Sequence, residues 1–445
     1  MSAAPTPAKL HIPAVVLSCM GAPEGDLNAV RSLGERGVPV IVISEYDDPP
    51  SRHSRHCREF ILLPGYTQNA ALLATALRDI HDRHGAAPVV FPTADPDLAA
   101  LQQVAPGLGD RVRSTLADAH LVDAMADKSR FDRLAQAHGM PVPCTAAPRS
   151  LDEVAQLAAT RPFPMIAKPA QPTAWMHPAI APDIAQAKAI VLPDADALMH
   201  VARQLAPHGL HLIVQDYVPG DDDTHFTVDV YIDAQDRVRA TCSGIKRRHY
   251  PAHLGSGCYC EGVERPELEA LAARLLQDIG YRGLANLDFK RHAVTGDYRL
   301  LEINPRLSQW HILATRCGRN LPWLAYRDAC GLAPEPLPAR RTGVHYLSEK
   351  NDLRAMRQYR REGAWPLGAY LRSVLRPGLV LQLLALDDLG PARAEVGTWL
   401  ARRLKRLGQW WRRPPGEARP AAGAAAAEHR ARPANALDHA PVKLR

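Results

Sequence analysis

Three side chains, Asp288, Glu302 and Asn304, have the types and the spacing to bind a metal ion. Residues two apart on a strand share a face, so Glu302 and Asn304 point the same way, whereas Leu301 and Ile303 are predicted to face the core. Two carboxylates and an amide supply the hard oxygen ligands that magnesium prefers, and protein-bound magnesium is usually shared with substrate phosphates. We therefore predict a site for magnesium, with manganese as an alternative.

A hairpin must bring these side chains together. The segments Leu284–Lys290 and Tyr298–Arg306 alternate apolar residues, and Thr295–Asp297 between them has turn chemistry, which predicts an antiparallel pair. Arg306 ends the second strand, where its guanidinium could hold a phosphate oxygen. A simpler interpretation is a solvated strand face followed by a Pro-Arg turn, so the metal hypothesis depends on the rest of the chain.

Lysine is rare in this chain, with 9 lysines against 45 arginines. Lys128 falls in a predicted helix, Leu121–Gly139, and Lys168 ends a predicted short strand, Phe163–Pro169. A solvated cation is the ordinary interpretation of either residue. Because surface cations here are nearly always arginine, both lysines become candidates for a functional role.

The N-terminal segment predicts a βαβ unit. A strand at Pro13–Cys19 and a helix at Leu27–Arg36 lead to a strand at Val38–Ser44, which places the turn Gly21–Gly25 at the ligand-binding edge of a parallel sheet. The turn lacks the Gly-x-Gly-x-x-Gly pattern, which argues against a dinucleotide site. Asp95, just past a later strand, has two open interpretations: a substrate contact or a helix cap.

Two central segments suggest further binding surfaces. A strand at Leu212–Gly220 runs into Asp221–Asp223 and a second strand, Phe226–Ile232, and such a crossing offers backbone groups to an adenine edge. Residues Ser243–Gly257 combine three consecutive cations with a Gly-Ser-Gly sequence, which predicts a loop. That loop could grip an anion or be a mobile surface loop.

Composition narrows the class of protein. The chain has 445 residues, 46% of them hydrophobic and 23% charged, and no apolar run near the roughly 20 residues of a spanning helix. The N-terminus lacks a signal-peptide layout, so we predict a cytoplasmic protein. The net charge of +7 is concentrated near the C-terminus without a recognition motif, which argues against nucleic-acid binding. The eight scattered cysteines are predicted to be reduced.

These segments occur in an order that resembles the ATP-grasp superfamily of ATP-dependent carboxylate-amine ligases. The matching motifs are Asp127-Lys128, Met165–Lys168, Gln215–Gly220, Asn286–Phe289 and Leu301–Arg306. The resemblance is greatest to the branch that includes D-aspartate ligases and surface-polysaccharide-associated proteins. The resemblance covers about residues 13–330 and implies an α/β and α+β fold, with a Rossmann-like domain at 1–120 and a two-lobed ATP-grasp domain at 121–335 whose hinge lies near 215–220. The pattern and composition of the remaining residues predict a helical region at 336–413 and a disordered tail at 414–445.

The resemblance also implies roles for individual residues. In the ATP site, the resemblance implies that Lys128 and Lys168 contact the phosphates and that Asp223 lies near the ribose. The implied adenine-binding hinge consists of Gln215, Asp216, Tyr217 and Val218. The implied magnesium ligands are Asp288, Glu302 and Asn304. The resemblance further implies that Arg306 holds the transferred phosphate and that Lys246 and Arg247 lie near the acyl phosphate. One departure stands out, since residues 170–189 contain no glycine where many relatives have a glycine-rich phosphate lid.

The implied chemistry is activation of a carboxylate by ATP as an acyl phosphate, which an amine then displaces. The implied partners are a small-molecule carboxylate and amine, with a homodimer as an open alternative. Three other hypotheses stay open: a non-catalytic nucleotide-binding scaffold, an ATP-grasp phosphotransferase and a C–N ligase that uses bicarbonate. The cationic amphipathic segment Trp399–Arg413 is interpreted as a packed helix with a solvated basic face in preference to a peripheral membrane contact.

Overall fold

The computed structural model describes residues 10–21, 25–169, 175–185 and 189–411. The predicted tail at 414–445 lies outside the described residues. The larger of two compact units ends at Ala394, and the second begins at Glu395. Within the described residues, no helix is long and apolar enough to cross a membrane.

A four-stranded parallel sheet in the order β3-β2-β1-β4 forms the N-terminal part. Its strands are β1 (Ala14–Ser18), β2 (Val40–Ser44), β3 (Cys57–Leu62) and β4 (Val89–Phe91), and its helices are α1 (Gly25–Gly34), α2 (Ala70–His84) and α3 (Asp95–Leu108). Strands β1, β2 and β4 are buried along their whole length, as expected for apolar runs covered on both faces. The sequence prediction missed β3, which is only half-buried.

The predicted helix Leu121–Gly139 is wrong as a single element. The structure has α4 (Ala119–Ala126) and α5 (Lys128–Ala137), separated by Asp127 in an extended conformation. Asp127 Oδ1 accepts hydrogen bonds from the backbone N–H groups of Ser129 and Arg130, which caps α5. The capping aspartate therefore starts a new helix and places Lys128 in its first turn.

A second, smaller sheet follows, with strand order β5-β8-β6-β7. Its strands are β5 (Thr145–Ala146), β6 (Met165–Pro169), β7 (Ile190–Leu192) and β8 (Leu212–Asp216), and its helices are α6 (Leu151–Thr160), α7 (Pro182–Ala185) and α8 (Ala195–Leu205). The apolar faces of α6 and α8 pack on this sheet around Met165 and Val214. These elements make up the small lobe.

The large sheet has seven strands in the order β13-β12-β9-β10-β11-β14-β15. They are β9 (His225–Ile232), β10 (Val238–Tyr250), β11 (Ser256–Val263), β12 (Gly283–Arg291), β13 (Tyr298–Asn304), β14 (His345–Leu347) and β15 (Leu379–Leu381). The helices of this part of the sequence are α9 (Pro266–Asp278), α10 (His311–Arg316), α11 (Leu321–Ala329), α12 (Glu349–Arg361) and α13 (Leu367–Val374). Helix α14 (Gly390–Trp411) follows and lies mostly in the second unit. The predicted antiparallel hairpin of β12 and β13 is present, and Gly296 in its turn has a φ of +79°.

The prediction of a loop at Ser243–Gly257 is wrong. Most of that segment is the end of β10, which pairs with β11 in a hairpin, and only residues 251–255 form the turn. A Cβ on Gly255 would lie 2.1 Å from the Tyr250 carbonyl carbon, so the tight turn requires glycine there. The consecutive cations therefore lie on a strand, where neighbouring side chains point to opposite faces.

The C-terminal region is not entirely helical as predicted. Strand β14 pairs with β11 and strand β15 pairs with β14, so residues beyond 340 extend the large sheet. Helices α12 and α13 lie in the same region. Within the second unit, the side chains of Trp399, Leu400 and Leu404 on α14 are exposed.

Candidate active site

The predicted metal face is formed by a cross-strand pair. Asp288 on β12 lies directly opposite Glu302 on β13, and Asn286 lies opposite Asn304. A register shift after Asp288 pairs Phe289 with Leu300, so Leu301 is an extra residue in a β-bulge. The prediction for Leu301 is therefore wrong, because Leu300 takes the buried position and Leu301 is only half-buried, whereas Ile303 faces the core as expected.

Lys246 on β10 reaches this face across the intervening strand β9. Its Nζ lies 2.6 Å from Asp288 Oδ2, and the two side chains are 9% and 15% exposed. Burial alone lowers the pKa of Lys246, but Asp288 outweighs it and the net pKa is raised. The other carboxylate oxygen, Asp288 Oδ1, is buried without a hydrogen-bond partner in the described part of the chain. A buried oxygen of this kind, beside a second carboxylate, fits a bound cation.

Glu302 is exposed in the cleft, and Asn304 Nδ2 donates to its Oε1 over 3.3 Å. Desolvation raises the pKa of Glu302, yet Lys246 and Lys168 outweigh it and the pKa lies below its ordinary value. The carboxylate is therefore ionised at neutral pH. Asp288, Glu302 and Asn304 together are the residues that would hold magnesium.

The two rare lysines, Lys128 on α5 and Lys168 on β6, both interact electrostatically with Glu302. Lys168 Nζ donates to Gln215 Oε1 over 2.8 Å, and Lys128 Nζ donates to the Pro169 carbonyl over 2.5 Å. Burial and the neighbouring Lys168 lower the pKa of Lys128 to about 8, against the opposing effect of Glu302. Burial also lowers the pKa of Lys168. Two desolvated cations facing an acidic surface form a cleft suited to a polyphosphate.

The predicted hinge lies at the end of β8. Gln215 and Asp216 are the last strand residues, and Tyr217 and Val218 continue from it, with Val218 buried. The side chain of Gln215 is engaged within the small lobe, because its Oε1 accepts from Lys168 and its Nε2 donates to Thr145 Oγ1 over 3.1 Å. Asp223 lies beyond, in a short 3-10 turn.

Arg306 follows the metal face and points back toward the N-terminal sheet. Its Nε lies 2.5 Å from Asp95 Oδ1, at the first turn of α3. The helix-cap interpretation of Asp95 is wrong, because Asp97 makes the cap. Asp97 Oδ2 accepts a hydrogen bond from the backbone N–H of Ala94 over 3.1 Å. Asp95 is therefore left at the cleft, 63% exposed, as the partner of a predicted phosphate-binding arginine.

Arg247 is not brought to this cluster. It pairs with Glu261 at 3.0 Å and with Asp223 at 3.5 Å, away from its neighbour Lys246. Adjacent residues on a strand point to opposite faces, and β10 is also irregular after Lys246. The assignment of Arg247 to the acyl phosphate thus stays a prediction without support from proximity.

A buried polar group under the metal face was missed by the sequence reasoning. Asp229 on β9 is 6% exposed, and its Oδ1 accepts from Asn286 Nδ2 at 2.8 Å and from Ser308 Oγ at 3.1 Å. Burial raises the pKa of Asp229 to about 6. The signal was present in the sequence, because Thr227 and Asp229 interrupt an otherwise apolar strand at a period of two.

The glycine-free segment at 170–189 is described only in part, as residues 175–185 and 189. Trp175 is 1% exposed, and its Nε1 donates to the His211 carbonyl over 3.0 Å. This buried anchor fixes part of the segment to the core of the small lobe.

The site brings the carboxylates Asp288 and Glu302 together with the lysines Lys128 and Lys168, which is the charge arrangement expected of an ATP-grasp domain. Residues 210–351 match the family model described as ATP-grasp in the biosynthetic pathway with Ter operon. The likeness to solved structures given below confirms the ATP-grasp fold predicted from the sequence.

Individual relatives agree with this class. A D-aspartate ligase from Enterococcus faecium is 24% identical over 289 residues, which cover 63% of this chain and 68% of the relative. The solved biotin carboxylase from Campylobacter jejuni, in a complex with a nucleotide, has a TM-score of 0.56 at 16% identity and covers 75% of each chain. N5-carboxyaminoimidazole synthetase from Staphylococcus aureus has a TM-score of 0.56 at 12% identity and covers 80% of this chain and 88% of its own. By name, these relatives are a ligase, a carboxylase and a synthetase.

Proposed function

We propose that the chain is an ATP- and magnesium-dependent ligase that activates a carboxylate as an acyl phosphate and couples it to an amine. The observation that carries the proposal is the cross-strand pair of Asp288 and Glu302, faced by Lys128 and Lys168 from the other side of the cleft. Acidic residues that hold a metal and lysines that bind phosphates are the parts that phosphoryl transfer requires.

Each residue has a role in positioning charge. Lys246 holds Asp288 in place, and Lys168 with Lys246 keeps Glu302 ionised. Bound magnesium supplies positive charge beside the phosphate oxygens. Lys128 and Lys168 offset the remaining phosphate charge, and Arg306, aligned by Asp95, holds the phosphoryl group during transfer.

The reaction needs no covalent enzyme intermediate. A substrate carboxylate oxygen attacks the γ-phosphorus, the bond to the β,γ-bridging oxygen breaks, and ADP leaves with that electron pair. An amine then attacks the acyl carbon, phosphate leaves, and the proton lost from the amine passes to solvent. Preorganised cations around the transferred group lower the barrier because they are strongest where charge accumulates.

Substrate class and setting are part of the same proposal. The similarity to a D-aspartate ligase supports an amino acid or a related small carboxylate and amine as substrates. We place the reaction in the cytoplasm, in cell-envelope, polysaccharide or secondary metabolism.

The proposal is tested by ADP release with magnesium, ATP and pools of amino acids and sugar acids. Release that depends on both a carboxylate and an amine, and that stops in Glu302→Ala while the fold is kept, supports a ligase. Nucleotide binding without turnover in any pool would instead indicate a non-catalytic ATP-grasp protein. Transfer of phosphate to an acceptor without any amine requirement would indicate a phosphotransferase.

A further inference from the structure

A cavity of about 1200 Å³ lies between the large sheet and the C-terminal helices. One wall is formed by the hinge side of the cleft, including Tyr217 and Asp223, and the opposite wall by α12, α13 and the residues that follow, including Tyr359, Arg372 and Arg376. Small-molecule pockets are commonly about 300–1,000 Å³, so the cavity exceeds what one adenosine group needs.

The outer wall is held firmly against the sheet by Arg248. This side chain of β10 is fully buried, and its Nε lies 2.7 Å from Asp352 Oδ1 on α12. Its Nη1 donates to Ser373 Oγ on α13 over 2.8 Å. Its guanidinium carbon also lies 4.6 Å from the Trp365 ring centroid. Helices α12 and α13 are thus a built part of the cavity.

Three of the acidic residues that line the cavity, Asp222, Asp223 and Glu261, have close partners. Arg247 lies between Asp223 and Glu261. Asp222 accepts a hydrogen bond from the Tyr359 hydroxyl and lies 3.1 Å from His253 Nδ1. The pKa of Asp222 is lowered, since these polar partners outweigh its burial. The direct partners of these three acids are therefore Arg247, His253 and Tyr359, and not Arg372 or Arg376.

Two cations on that opposite wall remain available. Arg376 Nη1 donates to the Tyr259 hydroxyl over 3.2 Å, and within the described residues Arg376 forms no ion pair, although Glu261 lies near enough to raise its pKa. No hydrogen bond or ion pair joins Arg372 to another residue in the described ranges. Arg372 lies in the last turn of α13 and Arg376 two residues beyond its end, and both line the cavity, where guanidinium groups can bind carboxylate or phosphate oxygens.

We propose that this cavity binds a small anionic molecule, bearing carboxylate or phosphate groups, through Arg372 and Arg376 beside the nucleotide. The inference rests on the proposed function, because it takes the hinge wall as the place of adenosine and the anion as the second substrate. The C-terminal helices are then a substrate-binding element of the enzyme.

Calorimetric titration of the full chain tests the proposal. The chain is first saturated with ADP and magnesium and then titrated with citrate or with inorganic phosphate, which separates the two anion classes. We expect at least one probe to bind with ADP present, and the Arg372→Gln/Arg376→Gln variant to bind it at least about tenfold more weakly. The matched control, Arg357→Gln/Arg361→Gln on the exposed side of α12, should change the affinity by less than about twofold.

Three results would overturn the proposal. The first is that the chain binds ADP but neither probe at millimolar concentration. The second is that the double variant binds the probe as tightly as the wild type does, and the third is that ADP displaces the probe. Both arginines are exposed, so their replacement should leave the fold intact, and Arg372→Gln alone provides a milder version of the same test. Failure of the wild-type chain to bind ADP would contradict the proposed function itself and would be seen in the first titration.

Discussion

Lys246 Nζ lies 2.6 Å from Asp288 Oδ2, so a lysine of β10 holds a carboxylate of β12 across strand β9. The pair occupies the centre of the large sheet, beside Glu302. It neutralises one of two neighbouring acids and leaves Asp288 Oδ1 free to face a ligand. The pair therefore links the stability of the sheet to the chemistry of the cleft.

Removing the lysine should destabilise the chain. Lys246→Met leaves Asp288 buried without its cation, and we expect the free energy of unfolding to fall by about 3 kcal/mol. Urea denaturation measures this difference, and Lys246→Arg, which retains the charge, should lose less. Equal stability of Lys246→Met and the wild type would show that the pair is not a buried interaction.

Glu302→Gln should separate activity from folding. The side chain is exposed, so the melting temperature should stay within a few degrees of the wild type, whereas ADP release should fall by about 100-fold or more because one magnesium-face carboxylate is lost. Glu267→Gln, at an exposed position on α9, is the matched control and should retain activity. A Glu302→Gln variant as active as the control would remove this residue from the site.

The affinity for ATP should weaken as the pH rises through about 8. The pKa of Lys128 is lowered to about 8 by burial and by Lys168, so the free protein loses this positive charge just above neutral pH. ATP binds the protonated form better, which makes binding strongest below pH 8. Titrations between pH 6.5 and about 9.5 measure the trend, and Lys128→Arg, which keeps its charge, should flatten it. A profile identical in wild type and Lys128→Arg would exclude Lys128 from phosphate binding.

Arg306 and Asp95 should differ in their contributions to turnover. Arg306→Lys removes a planar guanidinium that can hold two phosphate oxygens, and we expect kcat to fall by about 100-fold with little change in the KM for ATP. Asp95→Asn keeps Arg306 and removes only the negative charge of its exposed partner, so kcat should fall by less than about tenfold. Equal losses in the two variants would mean that Asp95 itself contacts the substrate.

Some of the cleft was predictable from local pattern. The hairpin of β12 and β13 follows from period-two alternation and a Thr-Gly-Asp turn, both of which are local properties of the chain. The bulge at Leu301 is set by the register between two strands, so alternation within one strand could not predict it.

Other features depend on contacts between distant segments. Arg248 belongs to a run of three cations that looked like a loop, yet its burial depends on Asp352, 104 residues further along. The contact between Arg306 and Asp95 spans 211 residues. Tertiary partners of this kind decide whether a charged residue is solvated, buried or catalytic, and a single sequence does not contain them.

Trapping the activated carboxylate tests the central proposal most directly. The chain is incubated with magnesium, ATP, a carboxylate pool and hydroxylamine as the amine, and ADP and acyl hydroxamate are measured together. We expect equal amounts of the two products from the wild type and neither from Glu302→Ala. ADP formed without hydroxamate, or hydroxamate formed equally by Glu302→Ala, would contradict acyl phosphate formation at the face built by Asp288, Glu302 and Asn304.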